Sequence, residues 1–364
     1  YDVPGPGDWS IHRGGAVYLE NTEDVVIESC VFNRTGSNGL FLSDRNLRAV
    51  VRDNDFLHIG DSAIATVGSL MHNDGTLGHG FYPADTVIER NHFSTVGVWG
   101  KQTSALFSAV SCRTRFSDNV LYNGPRAGIN INDGFCGGHM ISGNVLFNWV
   151  RETQDHGPIN TWSRENTLRT TPTDDLTEYP TWNHIQHNFI MNGPNGNRDL
   201  GNLFPCVDND DGSAYYFISE NVCVYGGFKN YLGQDKVWDG NLIVFPDRWS
   251  GDACLCAWGG PMHRYSNNVC VTNSTFPLSL DGDVSGMHGC QIDFSNATLM
   301  RDVAMASDNV YVTPNKGYTL ACGSNQYSLA DLNLHGWESN TSLDDIASLT
   351  PHELVKWAQE RLNV

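Results

Sequence analysis

Ten short segments along this chain follow one template: VVIESCVF (25–32), AVVRDNDF (49–56), TVIERNHF (86–93), TRFSDNVL (114–121), HMISGNVL (139–146), NHIQHNFI (183–190), YFISENVC (216–223), KVWDGNLI (236–243), HRYSNNVC (263–270) and AMASDNVY (304–311). In each, an apolar residue stands three places before an Asn and another stands two places after it. The first segment alone departs, with Cys30 in the Asn place. Several neighbours lie one short circuit of chain apart: 24 residues from Cys30 to Asn54, 25 from Asn119 to Asn144 and 20 from Asn221 to Asn241. Longer gaps mark inserted loops or further circuits. A repeat of this length means stacked units, each too small to bury its own apolar face and each covered by its neighbours. Leucine-rich solenoids share the period but place Leu at fixed offsets. Here the apolar positions mix Val, Ile, Phe and Leu with β-branched flanks, which favours strands. The expected fold is therefore all-β, a right-handed parallel β-helix (solenoid) over residues 1–342. One Asn per coil turns inward and bonds the backbone of the coils above and below. Asn54, Asn91, Asn119, Asn144, Asn188, Asn221, Asn241, Asn268 and Asn309 are structural on this reading.

The end of the chain breaks the pattern. Thr350 and Glu353 form a capping box with Pro351 at the first helical position, and Leu354, Val355, Ala358 and Leu362 follow at helical spacing. An amphipathic helix is expected within 343–364, capping the open end of the coil stack or packing along its side.

Composition narrows the partners. A net charge of -19 argues against nucleic acid or an anionic membrane, both of which call for clustered Lys and Arg, and is compatible with calcium and neutral glycans. No run of 18 apolar residues exists, so membrane insertion is not expected. The chain starts at Tyr1 with neither an initiator Met nor an apolar leader, as a processed chain or a fragment would. Its ten cysteines show no CxxC pair and no zinc spacing with His. Disulfides are expected, with Cys254 and Cys256 taking separate partners because they stand too close in an extended strand to bond each other. The even cysteine count and the sequons at Asn33, Asn273, Asn296 and Asn340 point to the secretory route and a secreted, extracellular or cell-surface location.

Between residues 100 and 240 the coils carry more polar chemistry than stacking requires. The runs are Lys101-Gln102, NGPRAGININDG (123–134), DHGPINTWSREN (155–166), DNDDGSAYY (208–216) and GFKNYLGQD (227–235). Equivalent positions on successive coils line up about 4.8 Å apart, so acids from different runs can converge on one face. Over roughly residues 9 to 240 the chain resembles a group of eukaryotic extracellular right-handed β-helix proteins, through the KQ pair, NGPRAGIN followed by NDG, DHGP followed by N-x-W-x-R, and DNDDGS followed by Tyr. That group reads DYGGHD after its Lys, where this chain has Asn230-Tyr231-Leu232-Gly233-Gln234-Asp235. More distantly, the runs at 155 and 208 are similar to the paired Asp motifs of β-helix glycoside hydrolases of the fucosidase and xylanosidase type. Asp155 and Asp210 are the matching positions, with His156 in place of a Gly and Pro158 in place of an Ala.

Glycoside hydrolysis uses two carboxyl groups, one protonated to assist the leaving oxygen and one ionised as nucleophile or base. The resemblance implies that Asp155 and Asp210 take these roles on an extracellular polysaccharide. Trp162, Tyr215 and Tyr216 offer faces for a sugar ring, while Arg126, Asn130, Asp133, His156, Arg164 and Lys229 are candidate ligands for its hydroxyls or a carboxylate. Asp208 and Asp211 can instead hold calcium, although they lack EF-hand spacing; the hydrolase reading requires no cofactor. The pair Asp155-His156 also reads as a loop anchor. Two other functions fit the same sequence. One is a non-catalytic subunit of an extracellular coat, hair or filament, self-assembling through the ends of its β-helix. The other is a polysaccharide lyase with Lys229 or Arg126 as base.

Overall fold

The computed structural model describes residues 9, 12–69, 82–132, 137–153, 156–162, 167–169, 178–192, 205–246, 254–258, 263–280, 305–322, 325–334 and 338–363. The chain forms two compact units, Tyr1–His184 and Ile185–Val364. Each is a stack of parallel β-helix coils with three strands per coil.

In the first unit, one sheet is built from Gly15–Glu23, Asn38–Leu47, Ile64–Val67, Leu106–Ala109, Ile129–Asn132 and Ile159–Trp162. A second sheet holds Val26–Glu28, Val50–Arg52, Val87–Glu89, Arg115–Ser117 and Met140–Ser142. A third holds Val31–Asn33, Asp55–Ile59, His92–Val96, Val120–Tyr122 and Val145–Phe147. The second unit repeats the scheme, its first sheet running through Val207–Asn209, Phe228–Tyr231, Leu255–Trp258, Leu278–Leu280 and Thr319–Cys322. Strand Asn325–Ser328 closes that sheet antiparallel to its neighbour.

The Asn of the template turns each corner between the second and third sheets. Asn119 Oδ1 accepts from the backbone N (2.8 Å) and the side-chain Nδ2 (3.1 Å) of Asn91, and its own Nδ2 donates to Ile88 O (3.1 Å) and Asn144 Oδ1 (3.1 Å). The same exchange links Asn54 to Asn91 and Asn119 to Asn144 in the first unit, and Asn188, Asn221, Asn241, Asn268 and Asn309 in the second. All nine are buried, so the inward Asn ladder read from the sequence holds. The apolar residue two places on forms a ladder of its own: Phe32, Phe56 and Phe93 stack with centroids 4.5 and 5.0 Å apart, and Phe116, three places before Asn119, stacks on Phe93 at 5.8 Å.

Immediately before the second sheet, Asp24, Arg48, Asp85 and Arg113 adopt φ near +50°, at 55, 56, 56 and 49°. Before the third sheet, Asp53, Arg90 and Asp118 do the same. Opposite charges meet across coils at these bends, with Arg48 Nε 2.7 Å from Asp24, Arg113 Nε 2.7 Å from Asp85 and Arg90 Nε 2.9 Å from Asp53.

The coil stack of the second unit ends on strand Ser342–Asp345, paired to Val310–Thr313, and the helix occupies Pro351–Leu362 with the Thr350–Glu353 capping box formed. Of the two placements expected for this helix, the structure takes the lateral one. Third-sheet strands of this unit are apolar on both faces: Cys223, Ile243, Cys270 and Tyr311 fill the coil, while Val222, Leu242, Val244, Val269, Val271 and Val312 form an outer cluster. Leu354, Trp357, Ala358 and Leu362 pack against that cluster. Among the described residues no helix is long and apolar enough to cross a membrane.

Disulfides join Cys206 to Cys223 and Cys254 to Cys270, and Cys112 is disulfide-bonded. Cys254 thus bonds Cys270 rather than Cys256. Cys30 departs from the expected pairing: it is an exposed free thiol, placed on the outermost described coil with a coil on one side only. Cys136, Cys290 and the side chains of Cys256 and Cys322 lie outside the described residues. Sequon residues Asn33, Asn273 and Asn340 are exposed, and Asn296 lies outside the described residues.

Candidate functional site

The polar runs of the first unit fall on its first sheet. Register places Phe107, Asn130 and Asn160 in one column and Ala109, Asn132 and Trp162 in the next. Because side chains alternate along a strand, Ile129, Ile131 and Ile159 point the opposite way, into the coil. One outer column runs through Phe41, Ala65 and Phe107 and the other through Ser43, Val67 and Ala109, and Trp9 packs over their apolar members. The Trp9 ring lies 6.1 Å from Phe107 and 5.5 Å from His156, edge-on to the latter, and Arg126 Cζ sits 5.0 Å from the Trp9 ring centroid. A guanidinium over an indole face is a favourable cation–π contact.

Arg126 Nη2 lies 3.1 Å from His156 Nε2. Arginine has no acceptor, so it donates to Nε2, and a neutral His156 then carries its proton on Nδ1. Both side chains are buried, as is Trp162. The sequence-predicted residues Arg126, Asn130, His156 and Trp162 therefore share one region. Asp133, Asp155 and Arg164 lie outside the described residues, as does the separation of Asp155 from Asp210.

In the second unit the motif DNDDGS forms a tight turn. Ser213 N and Oγ both donate to Asp210 O, at 3.0 and 2.8 Å, and Gly212 takes φ 82°, a conformation costly for a residue with a Cβ. This turn carries Asp210 off the end of strand Val207–Asn209. Lys229, on the adjacent strand opposite Asp208, places Nζ 3.1 Å from Asp208 Oδ1 and 2.8 Å from Asp210 Oδ1. Asp208 is fully buried, whereas the Asp210 side chain keeps 20% of its surface exposed. Burial works against the Lys229 ammonium, but the two carboxylates outweigh it and hold the lysine above its ordinary range. Lys229 also lies 5.7 Å from the Tyr231 ring centroid.

Lys236, missed in the sequence, lies behind this cluster. It is completely buried, bonded to Asn230 Oδ1 and to Leu232 O at 2.7 Å, and burial pulls it well below the usual lysine range. Trp9 was missed as well, since it belongs to no repeat and no motif.

Two aromatic expectations part here. Tyr215 is half-buried and its hydroxyl accepts from Gln234 Nε2 at 2.7 Å. Tyr216 cannot offer a face to a sugar ring: it opens strand Tyr216–Ser219 and is fully buried, because alternation turns adjacent residues in opposite directions. Asp211 is exposed while Asp208 faces Lys229, so these two proposed calcium ligands differ in surroundings. Among the described residues no three His, Cys, Asp or Glu side chains gather as a metal site would.

No family model matches the chain, and no curated protein sequence matches it. Among solved structures, the catalytic unit of a thermostable GH87 alpha-1,3-glucanase from Streptomyces thermodiastaticus strain HF3-3 superposes with a TM-score of 0.53 at 13% identity, over 74% of this chain and 48% of that one. The likeness is one of fold. A complex of XylC with xylose gives 0.44 at 9% identity, over 91% of this chain and 48% of the other. A structure described as a glycoside hydrolase gives 0.44 at 15%, over 69% and 38%. The chain thus spans less than half the length of each of these three neighbours.

Proposed function

We propose that this chain is a carbohydrate-binding β-helix protein, a glycoside hydrolase-like enzyme acting on an extracellular polysaccharide, with Asp210 and Asp155 as its two carboxyl groups. The observation that carries this is the setting of Asp210: a partly exposed carboxylate on a rigid turn, held by the ammonium of Lys229, with Asp208 buried behind. A carboxylate fixed in this way suits the nucleophile or base, which leaves Asp155 as the acid. The fold shared with an alpha-1,3-glucanase catalytic unit supports the reading by analogy. The lyase alternative loses ground. A lysine base must shed its proton, and the carboxylates beside Lys229 oppose that, while Arg126 already donates to His156.

The test is release of reducing ends from a polysaccharide panel by the full chain, with Asp155→Asn and Asp210→Asn alongside. Each substitution is expected to lower turnover at least about 1,000-fold with the fold intact. Unchanged turnover in either variant would move the chemistry to another acid. No turnover on any glycan would favour the structural-subunit reading.

A further inference from the structure

The coil corners use their Asn amides fully; the outer face of the first sheet does not. There, Asn160 Nδ2 donates to Asn130 Oδ1 at 2.9 Å, but Asn130 Nδ2, Asn160 Oδ1 and both amide atoms of Asn132 are buried without a hydrogen-bond partner. The three side chains are 0, 1 and 1% exposed for Asn130, Asn132 and Asn160. The Trp9 indole N–H, over the preceding rung, is likewise buried and unpartnered.

Buried amide atoms left in this state are costly, and folded proteins keep few of them. Stacking does not require Asn130 or Asn160 here, because Phe41, Ala65 and Phe107 occupy their column on earlier coils; the Asn132 column runs through Ser43, Val67 and Ala109. Side chains that the fold does not need, at a standing cost, indicate that something else completes them.

We propose that Asn130, Asn132 and Asn160 form a subsite that reads the hydroxyls of an uncharged sugar ring. The proposal rests on the glycan reading above and adds the class of sugar. Free donors on Asn130 and Asn132 alternate with free acceptors on Asn132 and Asn160, and a hydroxyl, being both donor and acceptor, satisfies such a set. A uronate carboxylate only accepts, so it would face the Asn132 and Asn160 oxygens without a proton to offer. Arg126 donates to His156 and lies against the Trp9 face. Trp162, which follows Asn132 in its column and keeps 8% of its surface exposed, supplies apolar surface for the ring's C–H face.

Calorimetric titration of the full chain with neutral gluco-, xylo- and manno-oligosaccharides, and with oligouronates of equal length, tests this. The wild type is expected to bind a neutral series at least tenfold more tightly than any uronate. Asn132→Leu and Asn160→Leu, close in volume to the amides, are expected to weaken that binding about tenfold or more while leaving the melting temperature unchanged or raised. Unchanged affinity in both Leu variants, or a preference for uronates, would overturn the subsite while the glycan reading stands. A Leu variant that melts earlier or fails to fold would also overturn it, by showing the amide to be structural. Failure of the wild type to bind any glycan would instead defeat the glycan reading itself.

Discussion

Lys229 is worth more to the fold than a surface lysine because its ammonium sits between one fully buried carboxylate and one partly buried one. Lys229→Met should cost about 3–5 kcal/mol, since it strands Asp208 in the interior, and adding Asp208→Asn should recover most of that loss. Urea denaturation of the single and double variants checks both. His139 makes the opposite kind of contribution. Burial, aided by the charge of Arg113, pushes it down to about 4, and its Nδ1 accepts from Thr114 N at 3.2 Å. The folded state therefore binds a proton less readily than the unfolded chain, whose histidines titrate near 6.5. Stability from this residue is present above about pH 6.5 and is lost as pH falls toward 4, by about 3 kcal/mol in all. His139→Gln should flatten that acid limb in melts taken between pH 7 and pH 4. The sequence displays neither role. Lys229 reads as a substrate ligand until its partners, on an adjoining coil strand and turn, are seen beside it, and His139 merely opens a repeat segment.

The elements were the most legible part of the chain, because the template fixes which residue of each short strand faces inward. Strands such as Asp55–Ile59 and His92–Val96 put polar residues outward and need no cover, whereas Val222–Val224, Leu242–Val244 and Val269–Val271 are apolar on both sides. That contrast could have told the lateral helix from an end cap, had outward positions been compared coil by coil. Removing residues 350–364 should expose the valine cluster and produce aggregation, detectable as dye binding and oligomers in size-exclusion chromatography. Thr350→Ala, which breaks only the capping box, should cost about 1 kcal/mol without aggregation. The site was less legible. Motif density picks out Arg126, Asn130, His156 and Trp162, which fall in one region, whereas strand alternation sends Tyr216 inward, against its reading as a ring face.

At the scale of the whole molecule, contacts run mainly between neighbouring coils, so a local cross-link matters where the stack is otherwise held by short strands. Cys206–Cys223 and Cys254–Cys270 close loops of 17 and 16 residues in the second unit. Replacing both Cys206 and Cys223 by Ala should cost about 3 kcal/mol, seen as a lower urea midpoint that added reductant depresses no further at that bond. Coil order poses a separate problem, since near-identical strands can pair one repeat out of place. The charged bends of the first unit bear on it. Reading up one corner gives Asp24, Arg48, Asp85 and Arg113, each with a positive φ, and two pairs of opposite charge close across neighbouring coils. Such exposed pairs add little to the finished structure. Yet a chain that skipped one coil would set Asp24 against Asp85, or Arg48 against Arg113, at the slipped junction. The corners thus serve as an address system: they tell each coil which neighbour is its own, and high salt should blur the addresses, slowing correct assembly more than it weakens the assembled stack.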